Sequence, residues 1–388
     1  MFSFLPIFLN KRIRCPIGAF IVALAALPAG AQTVDAPSTP KTSPSSGTSV
    51  DVSAAAKEAE QLFSRGAYDD AIDKATKNLD ALKKDDPRLR YFRGRAALTL
   101  GFYGLARRDF SAIADFQPYP AWKAATYYVT LIDDLKALAP PKSFEILDEE
   151  GAVIFRVYYD RENEWSKAIV ALLPEAYRIN RELFGRDMHE TPVFIFANPI
   201  RFQNFMTAHD GREPGAWAWA YGGIGGFYFC QNKTGGAEDL KSGWFRGTIV
   251  HEFNHSLITR IAGNARMPSW FKEGLAMTTE PNLAPERETQ FENDFQTVIK
   301  ADQLASLKIM TDSALFQKQV EARAVVKGDP YAQAWSMTSY FLTLVPPEKI
   351  TPFLEAVRDS RDFDKTLRGF TKLSPDEFFE KWRAQARH

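Results

Sequence analysis

The feature that most constrains this chain is a pair of histidines inside one predicted helix. Apolar residues recur at helical spacing through residues 245–261, and Gly263 follows them as a typical helix end. His251 and His255 stand four positions apart, so both lie on one helical face and can bind the same metal ion. Glu252 lies beside the first histidine, where its carboxylate can accept a proton from a water molecule acidified by zinc. This pattern is typical of a zinc hydrolase.

A third metal ligand is expected, because a catalytic zinc usually takes three protein ligands and keeps one position for water. The version of the motif that continues to a third histidine needs glycine and histidine where this chain has Ile258 and Ile261. A glutamate must therefore be the third metal ligand. The candidate is Glu273 in residues 267–276, a segment that predicts the start of a second helix. Alternatively, Glu273 caps its own helix.

The two motifs HEFNH and PSWFKEGLA together resemble the gluzincin metallopeptidases, in particular the secreted peptidase MA-like families. Those families carry a second motif of the form Pro-x-Trp-x-x-Glu-Gly-x-Ala. The resemblance covers roughly residues 144–388 and implies that His251, His255 and Glu273 bind one zinc ion per chain, with Glu252 as the general base. It also implies an α+β fold, in which a zincin-like domain has a small mixed sheet, an active-site helix and C-terminal helices.

Tyr331 is the candidate for a further catalytic residue. Asp329 and Pro330 predict a helix start, as the N-cap and the first helical residue. The resulting helix resembles the long one that follows the active site in gluzincins, several of which place a tyrosine or histidine beside the zinc to stabilise the oxyanion. Tyr331 would have that role, or it is a buried core tyrosine.

One position departs from the gluzincin pattern. Some gluzincins carry an acidic residue four positions after the glutamate ligand, where it orients a ligand histidine. This chain has Met277 at that position. Three residues that follow it could substitute for the acidic group: Thr278, Thr279 and Glu280.

Ahead of these motifs, residues 53–139 predict a helical domain with two similar stretches. The stretches match at a spacing of 35 residues and share three residue types: Gly66 and Gly101, Tyr68 and Tyr103, Ala71 and Ala106. This similarity resembles tetratricopeptide repeats, in which a small residue lets paired helices approach each other. The helical domain is interpreted either as a groove that binds a protein partner or as a support for the domain that follows.

After the helical domain the pattern changes to strands. Residues 144–147 and 153–159 predict a hairpin, and residues 191–197 predict a buried strand. Between them, residues 163–184 predict an amphipathic helix that is interrupted at Pro174.

A glycine-rich segment follows, at residues 215–230, and predicts a loop that enters a strand. Glycine weakens a strand and is tolerated where another backbone comes close. The strand is therefore interpreted as an edge on which an extended substrate lies, or as a bulged strand whose aromatic side chains face the core.

The peptidase-like domain is predicted to span residues 142–388, with the sheet in residues 142–240 and the HExxH helix in residues 241–388. Its last part predicts helices that pack on the rest of the domain, at residues 348–358 and 363–370 and from residue 374 onward.

The first 31 residues predict a signal peptide. A basic stretch at residues 11–14 precedes an apolar run, and small residues before position 32 form a site for cleavage after Ala31. The alternative is a membrane anchor, but an apolar run of about 13 residues is shorter than the ~20 that a spanning helix needs. Residues 32–52, rich in Ser, Thr and Pro, predict a disordered linker. The mature protein is therefore expected in the periplasm or outside the cell, without a membrane span.

Composition narrows the expected partners. Lys plus Arg and Asp plus Glu both number 48, so no basic excess favours binding to nucleic acid. Cys15 and Cys230 are too few for a disulfide framework and lack the spacing of a cysteine metal or redox site. A peptide or protein is the expected substrate.

The sequence thus predicts an exported zinc metallopeptidase in which Glu252 activates water for attack on a peptide bond. The alternative is an inactive binding or scaffold protein, because HExxH can persist in an inactive fold, and the tetratricopeptide-like segment would then capture a partner. A zinc hydrolase for another class of substrate is disfavoured, because the pattern belongs mainly to peptidases.

Overall fold

The computed structural model of the chain describes eight ranges: residues 52–82, 85–114, 122–186, 190–210, 219–231, 239–263, 265–326 and 329–387. The predicted signal peptide and all but the last residue of the predicted linker lie outside these ranges. Residues 215–218, where the glycine-rich segment begins, also lie outside them. The structure therefore does not test the predictions made for these segments.

The N-terminal part consists of five helices that pack against one another in chain order: α1 (Val52–Arg65), α2 (Tyr68–Leu82), α3 (Pro87–Thr99), α4 (Tyr103–Ala114) and α5 (Trp122–Leu138). Gly66 and Gly101, matched in the sequence, form the turns before α2 and α4 with φ angles of 85° and 77°. Glycine adopts this left-handed region freely, which explains its presence at both turns. The two matched stretches thus occupy equivalent positions, while the tetratricopeptide assignment stays a prediction.

A five-stranded mixed sheet follows the N-terminal helices. Its strands are β1 (Lys142–Leu147), β2 (Val153–Tyr159), β3 (Thr191–Phe196), β4 (Ala220–Gly223) and β5 (Gly226–Cys230), in the order β1-β2-β3-β5-β4. The pairs β1–β2 and β4–β5 are antiparallel, and β3 pairs in parallel with β2 and β5. The predicted hairpin and the predicted buried strand are therefore both present.

Side chains alternate between the two sides of the sheet, and the strands β3, β4 and β5 are buried on both sides. One face packs on the helix before β3 and on the HExxH helix through Phe155, Val193, Ile195, Phe227 and Phe229. The opposite face packs on α3, α4 and α5 through Phe194, Phe196, Tyr221, Tyr228 and Cys230. The N-terminal helices therefore form one of the two layers that cover the sheet.

The remaining helices are α6 (Glu164–Phe184), α7 (Pro199–Asp210), α8 (Gly243–Ala262), α9 (Ser269–Met277), α10 (Glu280–Leu283), α11 (Glu286–Lys300), α12 (Leu307–Thr311), α13 (Ser313–Val326), α14 (Pro330–Leu344), α15 (Ile350–Ser360), α16 (Phe363–Thr371) and α17 (Pro375–Ala386). The fold is α+β, as predicted, with the HExxH motif on α8. Within the part of the chain that the structure describes, none of the helices combines the length and the apolar character needed to cross a membrane.

Two local predictions are wrong. Helix α6 continues through Pro174, because proline removes only one backbone hydrogen bond while the buried face of this helix packs on the sheet and on α8. In its described part, residues 219–230, the glycine-rich segment contains a hairpin of two strands, β4 and β5, where the sequence predicts a single strand. The aromatic side chains of β4 and β5 are buried, as are all four residues of the edge strand β4.

Candidate metal centre

Helix α8 carries the histidine pair through the interior of the protein. The side chain of Ser242 caps its start by accepting a hydrogen bond from the N–H of Phe245, at 3.1 Å. The helix is buried on nearly all sides, because α6, α9, α10, α15 and β4 pack around it. Charged side chains on such a helix are stable only where other groups pair with them.

Two helices bring the three predicted metal ligands together. Glu273 Oε2 on α9 lies 3.6 Å from His251 Nε2 and 3.4 Å from His255 Nε2, and the ligand atoms of all three lie within 4.8 Å of one another. Tetrahedral zinc with ligands at 2.0–2.1 Å would place its ligand atoms about 3.3 Å apart, so the spacing fits zinc. Within the described ranges, the buried atoms His255 Nε2 and Glu273 Oε2 make no hydrogen bond.

The position of Glu273 decides between its two interpretations. Glu273 lies in the middle of α9 and turns its carboxylate toward the histidines. The N-cap of α9 is Pro268, and no side chain makes a capping hydrogen bond there. The alternative that Glu273 caps its own helix is therefore wrong.

The charges in this group depend on one another. Burial disfavours a charge on His251, but the carboxylates of Glu273 and Glu280 outweigh it and raise the pKa of His251 to about 10. Burial also opposes the charge on Glu273, yet the two histidines hold its pKa well below the usual range. A proton on His251 thus balances the carboxylates, and zinc would displace that proton on binding.

Glu280 is the acidic residue that orients His251. Its Oε1 lies 2.8 Å from His251 Nδ1, and its Oε2 accepts a hydrogen bond from Arg287 Nε at 2.6 Å. The other two candidates, Thr278 and Thr279, donate hydrogen bonds from their hydroxyls to carbonyl oxygens of α9. Sequence reasoning missed Arg287, because nothing in its local pattern connects it with the histidine motif.

Gly247 makes room for Glu280 on the facing helix. It lies on α8, one turn before His251, and an added Cβ there would approach Glu280 Oε2 to 2.7 Å. Burial alone would raise the pKa of Glu280, but His251 and Arg287 outweigh it and lower that pKa. Glu280 therefore remains a charged acceptor, and its contact with Nδ1 leaves Nε2 of His251 available to a metal.

Glu252, the predicted general base, is also buried. One carboxylate oxygen, Oε2, accepts a hydrogen bond from the backbone N–H of Gly222 at 2.6 Å. Burial raises the pKa of Glu252, which favours a group that both accepts and returns a proton. No local sequence pattern connects Gly222 with Glu252, and only the packing of β4 on α8 brings the two into contact.

Tyr331 lies in the first turn of α14, which Asp329 caps by accepting a hydrogen bond from the N–H of Tyr331 at 2.9 Å. A cavity opens beside His251, and Tyr331 forms part of its wall together with Trp244 and Phe291. The ring of Tyr331 also packs edge-on against Phe316, with 5.4 Å between the ring centroids. The tyrosine thus reaches the cavity next to the first histidine and belongs to the core as well.

Comparison with known proteins agrees with this geometry. A family model of the Peptidase MA superfamily matches residues 188–387, just over half of the chain, and the matched region contains both motifs. No curated protein and no solved structure matches the chain. With the motifs, the buried triad and the family match in agreement, the chain belongs to the Peptidase MA superfamily of metallopeptidases.

Proposed function

We propose that the protein hydrolyses peptide bonds with one zinc ion held by His251, His255 and Glu273. The observation that carries the proposal is the separation of 3.4–3.6 Å between Glu273 Oε2 and the two Nε2 atoms, in a site that buries all three side chains. The HExxH order supports it, because Glu252 follows the first ligand on the same helix and its carboxylate interacts electrostatically with His251 and His255.

Each residue of the site has a proposed part in hydrolysis. When bound, zinc would polarise the peptide carbonyl and lower the pKa of a water molecule. Glu252 accepts a proton from the attacking water and passes it to the nitrogen of the departing amine. The hydroxyl of Tyr331 donates a hydrogen bond to the carbonyl oxygen as that oxygen gains negative charge. Glu280 keeps the ring of His251 oriented throughout.

The proposal includes export from the cytoplasm. Its support is the order of basic, apolar and small residues in the first 31 positions, followed by a Ser/Thr/Pro-rich stretch. We also infer that the tetratricopeptide-like helices act as a structural layer. This inference is supported by the packing of α3, α4 and α5 on the sheet, which buries the helix surface that faces it.

The variant Glu252→Gln tests the proposed function directly. Glutamine keeps the size of the side chain but cannot take up a proton, so cleavage of fluorescein-labelled casein should fall about 10²–10⁴-fold. Zinc content should stay at one ion per chain, because Glu252 is not a ligand. As a matched control, Glu288→Gln changes an exposed glutamate on α11 and should cleave like the wild type.

Two outcomes would count against catalysis. If Glu252→Gln cleaves casein as fast as the wild type, the proposed mechanism is wrong. If the wild type binds zinc and melts at a higher temperature with zinc, yet cleaves neither casein nor a mixed peptide library, the inactive scaffold becomes the better account.

A further inference from the structure

The edge strand β4 lies directly against the HExxH helix. Cys230 donates a backbone hydrogen bond to Trp219 O at 2.7 Å, and residue pairs of an antiparallel hairpin alternate between bonded and non-bonded. Trp219 and Cys230 form a bonded pair, and Gly222 pairs with Phe227 three residue pairs further along the hairpin, which makes theirs a non-bonded pair. The N–H of Gly222 therefore points away from β5. It donates instead to Glu252 Oε2, at 2.6 Å.

The closeness of strand and helix requires a glycine at position 222. A Cβ added to Gly222 would lie 1.8 Å from the backbone oxygen of Glu252 and 2.7 Å from its carbonyl carbon. The backbone of Gly222 has no positive φ, so its own conformation does not demand glycine. The neighbouring Gly223 differs, because the three atoms nearest to an added Cβ there all belong to the side chain of Tyr221, the closest at 3.0 Å.

A second hydrogen bond fastens the same strand to the same helix. Ser256 Oγ donates to the backbone oxygen of Gly223 at 2.7 Å, one turn after Glu252 on α8. This bond holds β4 against the helix without touching the carboxylate. The chain therefore offers a matched pair of contacts, of which only the one from Gly222 reaches the proposed general base.

We propose that the backbone N–H of Gly222 positions the carboxylate of Glu252, so that Gly222 is a positioning residue for peptide hydrolysis. This inference rests on the proposed function. The bond anchors Oε2 and leaves Oε1 as the oxygen that exchanges a proton with water. Because Glu252 is only 2 % exposed, no solvent shell can replace this donor, and a hydrogen bond to a buried carboxylate is strong.

The proposal has a consequence for the edge strand. An extended peptide that joined β4 would need the outward-facing N–H of Gly222 as a donor. That N–H already bonds to Glu252, so a substrate strand cannot use it while the base stays anchored. At Gly222, the edge strand β4 therefore holds the carboxylate of Glu252 and offers no N–H donor to a substrate strand.

The first test compares three variants with the wild type in casein cleavage. Gly222→Ala should push β4 off α8 and lower kcat at least tenfold, because small misplacements of a catalytic group cost about that much or more. KM should change less than threefold, and zinc content should stay the same. Gly223→Ala and Ser256→Ala should keep kcat within twofold, although Ser256→Ala can lower the melting temperature.

Two outcomes of this comparison would overturn the proposal. One is a kcat of Gly222→Ala within twofold of the wild type. The other is a kcat of Ser256→Ala that falls as far as that of Gly222→Ala, because loosening the strand would then explain both. A wild type without any cleavage would instead refute the proposed function.

A second test needs neither cleavage nor a folded Gly222→Ala variant. In glycine-selectively ¹⁵N-labelled protein, the amide of Gly222 should exchange with solvent at least tenfold faster in Glu252→Ala than in the wild type. The amide of Gly226, in β5, serves as the internal reference and should not change. If Gly222 exchanges at the same rate in both proteins, the bond does not hold the carboxylate and the proposal is wrong.

Discussion

Glu280 holds the ring of His251 in the orientation that metal binding would require. One carboxylate oxygen lies 2.8 Å from Nδ1, which fixes the ring orientation and leaves Nε2 for the metal. The other oxygen is held by Arg287, whose guanidinium lies 4.5 Å above the ring of Phe291. The proposed metal ligand His251 is thus supported by a chain of three contacts that reaches from α8 to α11.

Replacing Glu280 should therefore weaken zinc binding. Glu280→Gln keeps the shape of the side chain but removes the charge that His251 and Arg287 both contact, so zinc affinity should fall about 10–100-fold. Competition with a zinc-binding dye measures this change. Glu286→Gln is the control, because Glu286 accepts a hydrogen bond from Arg246 at the surface. The zinc affinity of this variant should equal that of the wild type. Equal affinities in all three proteins would contradict the assigned role of Glu280.

At the residue scale, the sequence predicts those parts of the site that depend on local spacing. His251, Glu252 and His255 share one helix, so their arrangement follows from the helical period. The contacts of Glu280 and Gly222 depend on how a second helix and an edge strand pack on α8. No local pattern encodes such distances, so Glu280 remained one of three candidates and Gly222 was missed.

At the element scale, the far end of α8 is tied to the N-terminal helices. Arg260 makes two hydrogen bonds to Asp69 on α2, at 2.6 and 2.9 Å, and its guanidinium lies 5.6 Å above the ring of Phe102. Just beyond, an added Cβ on Gly263 would come within 2.8 Å of the Cα atom of Gly66. The helix that carries two of the proposed metal ligands is therefore held by the N-terminal layer as well as by its own domain.

Loss of the contact between Arg260 and Asp69 should destabilise the protein. Arg260→Ala leaves Asp69 without its nearly buried partner and should lower the free energy of unfolding by about 2–3 kcal/mol. Arg107→Ala is the control, because its ion pair with Asp133 is exposed on both sides and should contribute little. Urea denaturation compares the two variants. Equal losses, or none for Arg260→Ala, would contradict this account of the helix end.

Elements were predicted well where one periodicity dominates, as in the hairpin, the buried strand and α8. The predictions for Pro174 and for the glycine-rich hairpin were wrong for one shared reason. Proline in a helix and glycine in a strand are locally unfavourable for those elements. Tertiary packing decides whether the element forms nevertheless. The burial of α6, and the approach of β4 to α8, are contacts between distant parts of the chain.

At the scale of the whole molecule, the sheet lies between two helical layers. The side chains of Phe194, Phe196 and Tyr228 on one face are fully buried, and the N-terminal helices cover them together with α7. On the other face, α6 and α8 bury a second set of aromatic side chains. The two predicted domains thus share the sheet between them, which their separate sequence patterns did not indicate.

Removing the N-terminal helices should therefore prevent folding. A chain that starts at residue 142 would expose the aromatic face of the sheet to water, and exposed apolar surface of this kind leads to aggregation. A chain that starts at residue 52 keeps this layer and should stay soluble, with a single unfolding transition. Size-exclusion chromatography distinguishes the two chains. A soluble, folded product from residue 142 onward would show that the N-terminal helices are a separate module.

The central claim is a zinc site made by His251, His255 and Glu273, and the most direct test is the zinc content of the purified protein. Elemental mass spectrometry should find about one zinc per chain, and Glu273→Ala, which removes one of three ligands, should lose most of it. A wild type without zinc, even after incubation with a zinc salt, would contradict the account. A Glu273→Ala variant that holds zinc as firmly as the wild type would contradict it equally.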